Sequence, residues 1–477
     1  MTSPKYFQLR YIGYILLFIY IIIRASSMSF TTDESVSFSI ISEASSRWLN
    51  TANHHLLNTW LMSLCSSVFG NSELSLRLPN VLAFLIYAFY FDRILNLLDF
   101  SITSLNRLLG FSLLFLNNYV LDFFSLARGY GLSLGFMSAS LYYFIRNDGQ
   151  AGHLLQIKNY ILATFFAGLA ICSNLSMLNY YIAVMGISVA VRLYTAVKSK
   201  VFDIKREGIF FLVFLISTIP LALAIKRLIM LEEKKQLYYG STTLKETFLS
   251  LIDNSFVSHD SYSWIKYSLI IFTIFIPIGL VFYLKNKNQS PYIYVLSSLF
   301  LILLGLLIEN YWFGALYPLA RTGIYFIPLI AVCSYFSYLY AVRGISEKYR
   351  NNFNAILSVG FSFPLIINFL LTMNLTHVVE WNFCRDVKSA FFLSNGIDRG
   401  SNKKLIIKTD QVLQPVFKYY TNTHKNKLRL LRRFQNNVNP HLTYQFESKF
   451  DEPGWKKIAS YPSSKTALYQ KLDLDSN

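Results

Sequence analysis

Apolar residues recur along this chain in blocks of about 20, the length of α-helix that crosses the hydrocarbon core of a bilayer. Hydrophobic residues make up 53% of the 477 residues and charged residues only 15%, whereas soluble globular chains carry about 25% charged residues. This pattern excludes a soluble, disordered or fibrous protein and predicts an all-α polytopic membrane protein. We predict about eleven transmembrane helices, near residues 9–28, 78–98, 107–121, 124–145, 160–174, 177–197, 209–229, 265–284, 291–309, 322–342 and 352–372.

The distribution of Lys and Arg predicts the orientation, because basic residues collect in short cytoplasmic loops. Three short basic segments fall on the side of Lys5 and Arg10, namely Arg192–Arg206, Lys285–Lys287 and Arg343–Arg350, and the acidic segments Asp33–Glu73 and Glu232–Asp260 fall on the other. We therefore expect a cytoplasmic N-terminus, outer loops at 29–77 and 230–264, and a location in the inner (plasma) membrane. The net charge of +18 then reflects this rule and contact with anionic membrane lipids, not a nucleic-acid partner.

Residues 373–477 differ in composition from the apolar region 1–372. With a cytoplasmic N-terminus, an odd number of spans places them on the extracytoplasmic side. They contain a strand-like segment at 404–408, a helix-like stretch at 411–420, and alternating segments at 443–450 and 466–472. We predict a small soluble C-terminal α/β domain on the extracytoplasmic side. Our interpretation of this domain is a lid or an acceptor-docking module.

The first outer loop opens with an adjacent pair of carboxylates, Asp33 and Glu34. Thr31-x-x-Glu34 has the spacing of a capping box, in which Asp33 is simply a first-turn carboxylate favoured by the helix dipole. Alternatively, the capped helix holds Asp33 at the membrane surface as a general base. Adjacent carboxylates project about 100° apart on a helix, so one of them acts and the other caps or supports.

An amphipathic helix is predicted between Asn53 and Gly70, lying in the membrane interface rather than crossing it. Asn53 is expected to cap its start and Gly70 its end. His54 and His55 then lie at its N-terminus. The two histidines have two alternative roles: they anchor the helix in the membrane interface, or they form hydrogen bonds to a substrate phosphate or sugar. Adjacent histidines are poorly spaced for chelation, since helical metal ligands stand at i and i+4, and we predict no metal site.

Three arginines stand at the predicted outer ends of spans: Arg77, Arg128 and Arg321. Each alone is typical of a snorkelling anchor. The positive-inside rule predicts few cations on this face, however, and Arg is suited to bidentate contact with a phosphate. Arg128 has a second alternative, a simple pair with the nearby Asp122.

These residues, in their order, resemble the GT-C superfamily of polytopic glycosyltransferases. The Asp-Glu pair is followed by the His-bearing helix ending in FGNSELSLRLPN, and then by LARGY at the outer end of a later span. The nearest types are the protein O-mannosyltransferases (glycosyltransferase family 39) and the aminoarabinose lipid A transferases. The chain departs from them in having His54-His55-Leu56 where many relatives carry His-Pro-Pro, and in separating Arg321 from Tyr325.

The resemblance implies a sugar donor carried on a polyprenyl phosphate and a lipid, glycan or protein acceptor at the outer face. Inverting transfer needs a base for the acceptor proton, and fixed cations for a phosphate that leaves as an anion. Asp33 is assigned as the base and Glu34 as its supporting or metal-linked neighbour; Arg77, Arg128 and Arg321 are candidates for the donor phosphate. Tyr130 and the two histidines are candidates to line the pocket. The resemblance does not imply a definite cofactor, and a divalent cation is the one alternative.

The donor sugar implied by this resemblance is a hexose such as mannose. An O-antigen polymerase or ligase is the first rival, because such enzymes are also polytopic and use key arginines. A lipid or sugar transporter is the second rival. A transporter should carry ionisable or helix-breaking residues near mid-membrane, whereas the charges here cluster at one face and the mid-span positions are mostly apolar.

Overall fold

The computed structural model describes residues 4–43, 51–97, 104–146, 153–199, 204–257, 260–286, 291–397, 404–431 and 439–472. Parts of the predicted outer loop 29–77 and of the basic segments, including Lys200 and Lys287, lie outside these described residues. The first nine helices are α1 Pro4–Ser27, α2 Thr32–Glu43, α3 Leu56–Phe69, α4 Glu73–Leu95, α5 Ser104–Phe115, α6 Asn118–Asp122, α7 Gly129–Ile145, α8 His153–Ser173 and α9 Leu178–Ser199.

The remaining nine helices are α10 Ile204–Glu233, α11 Leu244–Ser255, α12 Ser263–Phe272, α13 Phe275–Asn286, α14 Pro291–Phe313, α15 Phe326–Arg343, α16 Glu347–Thr372, α17 Val387–Gly396 and α18 Gln414–Thr423. Short 3₁₀ turns connect several of them, at Phe123–Ser125, Leu175–Met177, Asp260–Tyr262, Ala320–Gly323 and Val379–Cys384, and a further 3₁₀ turn lies at Glu447–Lys449.

Within the described part of the chain, eight helices are long and apolar enough to cross a membrane, or up to ten if each of two bent pairs counts as one span. The protein is thus a multi-pass membrane protein, but the predicted count of about eleven is not confirmed. The predicted span at 124–145 is the 17-residue helix α7, which is about 25 Å long and shorter than the hydrocarbon core. The predicted span at 107–121 belongs to the pair α5 and α6, which is bent by 54°.

Helix α3 confirms the predicted amphipathic segment. Its apolar residues Leu56, Trp60 and Leu64 are exposed, while Asn58 is buried against the protein. Gly70 ends the helix as predicted, with a positive φ of 78°. The prediction that Asn53 caps the helix was wrong: His55 occupies that position without a side-chain cap.

The C-terminal part folds as a five-stranded mixed sheet, which confirms the predicted small α/β domain. Its strands are β1 Leu405–Thr409, β2 Leu428–Leu430, β3 Leu442–Phe446, β4 Trp455–Tyr461 and β5 Thr466–Lys471. Their order is β2-β1-β3-β5-β4, with β1 parallel to β2 and β3 and with β5 antiparallel to β3 and β4. The predicted strands match β1, β3 and β5, whereas β2 and β4 were not predicted. The predicted helix at 411–420 corresponds to α18, which begins at Gln414.

Helix α7 packs against α4 and α8, and nearly all its side chains are buried. Its small residues allow close packing of the kind that membrane helices use. A Cβ atom at Gly135 would lie 2.8 Å from the carbonyl oxygen of Ala83 in α4, and one at Gly129 would lie 1.8 Å from the carbonyl oxygen of Ser173. These glycines bring the start of α7 against α4 and the end of α8, next to the residues described below.

Candidate active site at a helix elbow

Asp33 lies in the first turn of α2, just after the chain bends by 71° between α1 and α2. One carboxylate oxygen, Oδ2, is 3.7 Å from Nη2 of Arg128 and 3.8 Å from Nη2 of Arg321. The side chain is 15% exposed, and Oδ2 has no hydrogen-bond partner among the described residues. The site therefore holds a buried carboxylate oxygen near two guanidinium groups, and this oxygen is not committed to a hydrogen bond within the described residues.

Glu34, in contrast to Asp33, has hydrogen-bond partners for both carboxylate oxygens, and it forms the predicted capping box with Thr31. The backbone N–H of Thr31 donates to Oε2 of Glu34 at 2.8 Å, and the backbone N–H of Glu34 donates to the Thr31 hydroxyl at 3.3 Å. The backbone N–H of Ala127 donates to Oε1 of Glu34 at 2.6 Å. Glu34 is completely buried, so it caps and supports the helix that carries Asp33.

Arg77 is the partner of Glu34 and is also completely buried. Its Nε and Nη2 donate to the two carboxylate oxygens of Glu34, each at 2.8 Å. The other donors reach the carbonyl oxygens of Ala25 at 2.9 Å, Met28 at 3.0 Å and Ser29 at 2.9 Å. A guanidinium has five N–H groups, and all five are used within the protein. Arg77, predicted just before a span, lies inside α4, and its geometry leaves no donor for a phosphate.

Arg128 immediately precedes α7, as predicted, and is buried. Its Nη1 donates to the carbonyl oxygen of Asn53 at 3.0 Å, to the hydroxyl of Ser37 at 3.2 Å and to the carbonyl oxygen of Asp33 at 3.3 Å. Its Nη2 donates to the side-chain oxygen of Asn53. Arg128 thus ties α2 to the segment before α3, and the Asn53 side chain that was predicted as a helix cap serves this arginine instead.

Arg321 lies in the 3₁₀ turn Ala320–Gly323 before α15 and is 18% exposed. Both of its hydrogen bonds to side chains come from Nη1, one to Glu380 and one to the hydroxyl of Tyr239 at 3.2 Å. Its guanidinium also stacks over the rings of Tyr239 and Trp381, at 4.3 and 5.0 Å from their centroids. Nε has no hydrogen-bond partner among the described residues, and Nη2 lies 3.8 Å from Oδ2 of Asp33. Of the three predicted arginines, this one has the most N–H groups left for a ligand.

His55 is buried beside Arg128 and packs edge-to-face on Tyr130, with 4.8 Å between ring centroids. Burial and then the Arg128 charge hold the pKa of His55 well below its usual range, so the ring is neutral. Nδ1 lies 2.9 Å from the carbonyl oxygen of Ser173. Since a carbonyl only accepts, Nδ1 carries the proton and Nε2 keeps a lone pair, and Nε2 has no partner among the described residues.

The remaining predicted residues lie around this centre. Tyr130 is buried at the start of α7, close enough to Arg321, Arg128 and Asp33 to interact electrostatically with each. His54 is buried next to His55, and its carbonyl oxygen accepts a hydrogen bond from Arg227 at 2.6 Å. The described residues contain no group of three or more His, Cys, Asp or Glu side chains that could hold a metal ion.

The alternative pairing of Arg128 with Asp122 is not found. Asp122 instead pairs with Arg24 of α1 at 2.5 Å and accepts the backbone N–H of Val379 at 3.1 Å. Arg24 also donates to the carbonyl oxygen of His377 at 2.7 Å. This buried pair joins α1, α6 and the segment after α16. Arg128 therefore contacts Asp33 and Asn53 rather than Asp122.

Sequence reasoning missed Glu380 and the aromatic residues around it. Glu380 accepts hydrogen bonds from the side chain and the backbone N–H of Arg321 and from the hydroxyl of Tyr119. It follows the last apolar block, in a segment that was assigned as a whole to the C-terminal domain. An acidic residue beside a tryptophan, Glu380-Trp381, on the predicted outer face was the one signal that could have marked it.

Together, the fold and the site define a multi-pass membrane protein in which a carboxylate lies between two arginines where α2, α7 and α15 begin. No protein-family model matches the sequence, and no curated protein matches it. Among solved structures, the chain is similar to ArnT from Cupriavidus metallidurans in the apo state, with a TM-score of 0.56 and 10% identity over 96% of this chain and 98% of ArnT. The structure of that ArnT bound to undecaprenyl phosphate gives 0.57 and 9% identity over 99% of each chain.

The oligosaccharyltransferase of Archaeoglobus fulgidus is a more distant match, with a TM-score of 0.44 and 11% identity over 91% of this chain and 68% of the other. At these identities the likeness concerns the fold. The two ArnT structures are similar in fold to this chain over nearly its whole length, as the motif order predicted.

Proposed function

We propose that this protein is a membrane glycosyltransferase that moves a sugar from a polyprenyl-phosphate donor to a lipid, glycan or protein acceptor, with inversion at the anomeric carbon. The observation that carries the proposal is the Oδ2 atom of Asp33, which has no described hydrogen-bond partner and lies between Arg128 and Arg321. The choice of donor is supported by the similar fold of ArnT, since one of the two ArnT structures contains bound undecaprenyl phosphate.

In the proposed reaction, Asp33 accepts the proton of the acceptor hydroxyl as that oxygen attacks the anomeric carbon. The bond from the anomeric carbon to the phosphate oxygen breaks, and its electron pair leaves with the polyprenyl phosphate. The phosphate gains one negative charge, which fixed cations stabilise without a proton donor. The proton on Asp33 is then released to solvent, which restores the carboxylate.

Arg321 is the proposed anchor for the donor phosphate, because its Nε and Nη2 groups are not committed to short hydrogen bonds. Arg128 uses Nη1 and Nη2 for hydrogen bonds within the protein and contacts the carbonyl oxygen of Asp33, while its charge adds to the site. The first turns of α2 and α7 add the positive ends of two helix dipoles, which favour an anionic group nearby. Arg77 is left out of the donor site, because its five donors are all used.

Tyr130 and the histidines are proposed to contact the sugar. A neutral His55 with a lone pair on Nε2 is an acceptor, which suits a sugar hydroxyl and not a phosphate oxygen. A hexose such as mannose is the proposed sugar. We also propose that residues 1–372 form the catalytic membrane domain of the inner membrane, with the N-terminus cytoplasmic and residues 373–477 outside.

The test uses membranes that contain the wild type or Asp33→Asn. They are supplied with radiolabelled polyprenyl-phosphate mannose and then with polyprenyl phosphates that carry other hexoses. Asp451→Asn is the matched control, since Asp451 is an exposed carboxylate of the C-terminal domain. We expect transfer of label from the donor lipid in the wild type and the control, and a loss of about 10²–10⁴-fold in Asp33→Asn, the usual contribution of a general base.

Two outcomes contradict the proposal. Transfer that survives Asp33→Asn would return Asp33 to a role in helix capping. Absence of transfer from every monophosphate donor, together with consumption of a diphosphate-linked oligosaccharide, would replace the proposed reaction with that of a polymerase or ligase.

A further inference from the structure

The segment that leads into Asp33, Ser29–Thr32, is enclosed by residues from beyond the last membrane span. The hydroxyl of Ser29 donates to the carbonyl oxygen of Arg385 at 2.8 Å, and the hydroxyl of Thr32 donates to the carbonyl oxygen of Val412 at 2.7 Å. These partners are more than 350 residues away in the chain. The C-terminal part therefore contacts the elbow of α1 and α2 on both sides of Phe30 and Thr31.

Tyr420 of α18 makes the central contact. Its hydroxyl accepts the backbone N–H of Phe30 at 2.9 Å and donates to Oε1 of Glu73 at 3.2 Å. Glu73 in turn pairs with Lys388 at 2.8 Å. Tyr420 and Phe30 are both completely buried, and a buried donor left without a partner is costly.

The neighbouring Tyr419 fixes the Phe30 side chain. The two rings stack at 4.1 Å between centroids, and Tyr419 also packs edge-to-face on Phe38 of α2 at 5.2 Å. The hydroxyl of Tyr419 donates to the carbonyl oxygen of Asn71 at 2.8 Å, and the guanidinium of Arg77 lies 5.3 Å from the Phe30 ring. Phe30 is thus held by α18 together with the buried arginine of α4.

We propose that α18 of the C-terminal domain positions the base of the proposed reaction, with Tyr420 as the positioning residue. This inference rests on the proposed function. The Oδ2 atom of Asp33 has no hydrogen-bond partner among the described residues, so its location depends on the backbone of the elbow. Arg128 contacts that backbone at the Asp33 carbonyl oxygen, and Tyr420 fixes it three residues earlier. An error of about 1 Å in the position of a reacting group can cost about 10²-fold in rate. In this role the domain is a fixed part of the site and not a lid.

The test compares Tyr420→Phe with Tyr444→Phe in the full-length protein. Tyr444 is an equally buried tyrosine of the same domain, and its contacts are with Thr466, Phe417 and Tyr461. Each variant loses one buried hydroxyl and keeps the ring. We expect Tyr420→Phe to lower kcat by about tenfold or more with little change in the KM for the donor, and Tyr444→Phe to leave kcat unchanged. Equal kcat values in the two variants would overturn the inference.

The double variant Asp33→Asn with Tyr420→Phe distinguishes positioning from a general loss of structure. If Tyr420 acts through Asp33, its substitution has no further effect once the carboxylate is gone, and the two losses are not additive. Fully additive losses would contradict the role.

Hydrogen exchange separates this inference from the proposed function. The backbone amides of residues 29–35 are expected to exchange faster in Tyr420→Phe than in Tyr444→Phe, whether or not a donor is turned over. Unchanged exchange in an active enzyme would refute the positioning role alone. Faster exchange in Tyr420→Phe, if the wild type transfers no sugar, would support the contact between Tyr420 and Phe30 and contradict the proposed sugar transfer.

Discussion

Asp33 and Glu34 are adjacent in the chain, yet their carboxylates have different surroundings. Glu34 is completely buried and paired with Arg77 through two hydrogen bonds. The Asp33 side chain is 15% exposed, and its Oδ2 atom is buried without a described hydrogen-bond partner. The roughly 100° between neighbouring side chains on a helix accounts for this division. One residue stabilises the elbow, and the other is the base of the proposed reaction.

The same division predicts different effects of two arginine substitutions. Arg77→Ala leaves Glu34 buried without its partner and is expected to lower the free energy of unfolding by about 3–5 kcal/mol. Arg321→Ala is expected to cost less stability, since Glu380 keeps the Arg321 backbone N–H and the Tyr119 hydroxyl. It should weaken binding of undecaprenyl phosphate by about tenfold or more, as expected for a lost charge-assisted contact.

Thermal unfolding in detergent and titration with undecaprenyl phosphate measure these two effects. Arg350→Ala is the control, because that side chain is 36% exposed. A lower Tm for Arg321→Ala than for Arg77→Ala, with unchanged lipid binding, would contradict the assignment.

His377, in the segment after α16, gives a prediction on pH. Burial, together with the charges of Arg385 and Arg24, lowers the pKa of His377 to about 4, compared with about 6.5 in an unfolded chain. Between these two values the unfolded state binds a proton that the native state does not, so stability falls as the pH is lowered through this window. We expect the Tm of His377→Gln to fall less than that of the wild type between pH 7.5 and pH 5. Identical slopes would show that His377 does not contribute.

At the scale of elements, the site depends on how closely α7 approaches α8. A methyl group at Gly129 would lie 1.8 Å from the carbonyl oxygen of Ser173 and 2.9 Å from the Cβ atom of His55. Both contacts are with atoms that cannot move without shifting the backbone. The start of α7, and with it Arg128, can reach Asp33 only if this position has no side chain.

We therefore expect Gly129→Ala to reduce the yield of folded protein and its Tm sharply. Gly186→Ala is the matched control, because nothing lies within 4 Å of its new methyl group. Replacement of a helical glycine by alanine at such an open position should be neutral or stabilising by about 0.5–1 kcal/mol. Size-exclusion chromatography and thermal unfolding of the two variants make the comparison. Equal behaviour of the pair would show that α7 and α8 are farther apart than described.

At the scale of the whole molecule, the distribution of basic segments predicts which face of the membrane carries the site. The proposed topology places the C-terminal sheet outside and the segment 343–350 inside. Both regions offer exposed lysines, Lys404 before β1 and Lys348 in α16.

A labelling experiment tests this topology. With Cys65 and Cys172 replaced by Ser, we expect Lys404→Cys to react with a membrane-impermeant maleimide in intact cells or spheroplasts. Lys348→Cys should react only after the membrane is permeabilised. The reverse pattern would invert the orientation and place the proposed reaction on the cytoplasmic side.

The sequence by itself determined the properties that repeat or act over a few residues. Apolar blocks of bilayer length, the helical period of α3, the capping box from Thr31 to Glu34 and the strands β1, β3 and β5 all follow from local patterns, and the structure contains each of them. The order of these motifs also indicated the fold that the two ArnT structures share.

Only the tertiary structure decided which charges meet. The sequence did not distinguish the three arginines, but each has different partners in the structure. Arg77 pairs with Glu34. Arg128 contacts Asn53 and Asp33, and Arg321 contacts Glu380 and Asp33. Two partners of Arg321 come from beyond the last span and from the elbow between α1 and α2, and the support for Phe30 comes from α18. Local patterns record the period and length of one element, whereas the pairing of buried charges depends on which element ends converge, and that is fixed only when the helices pack.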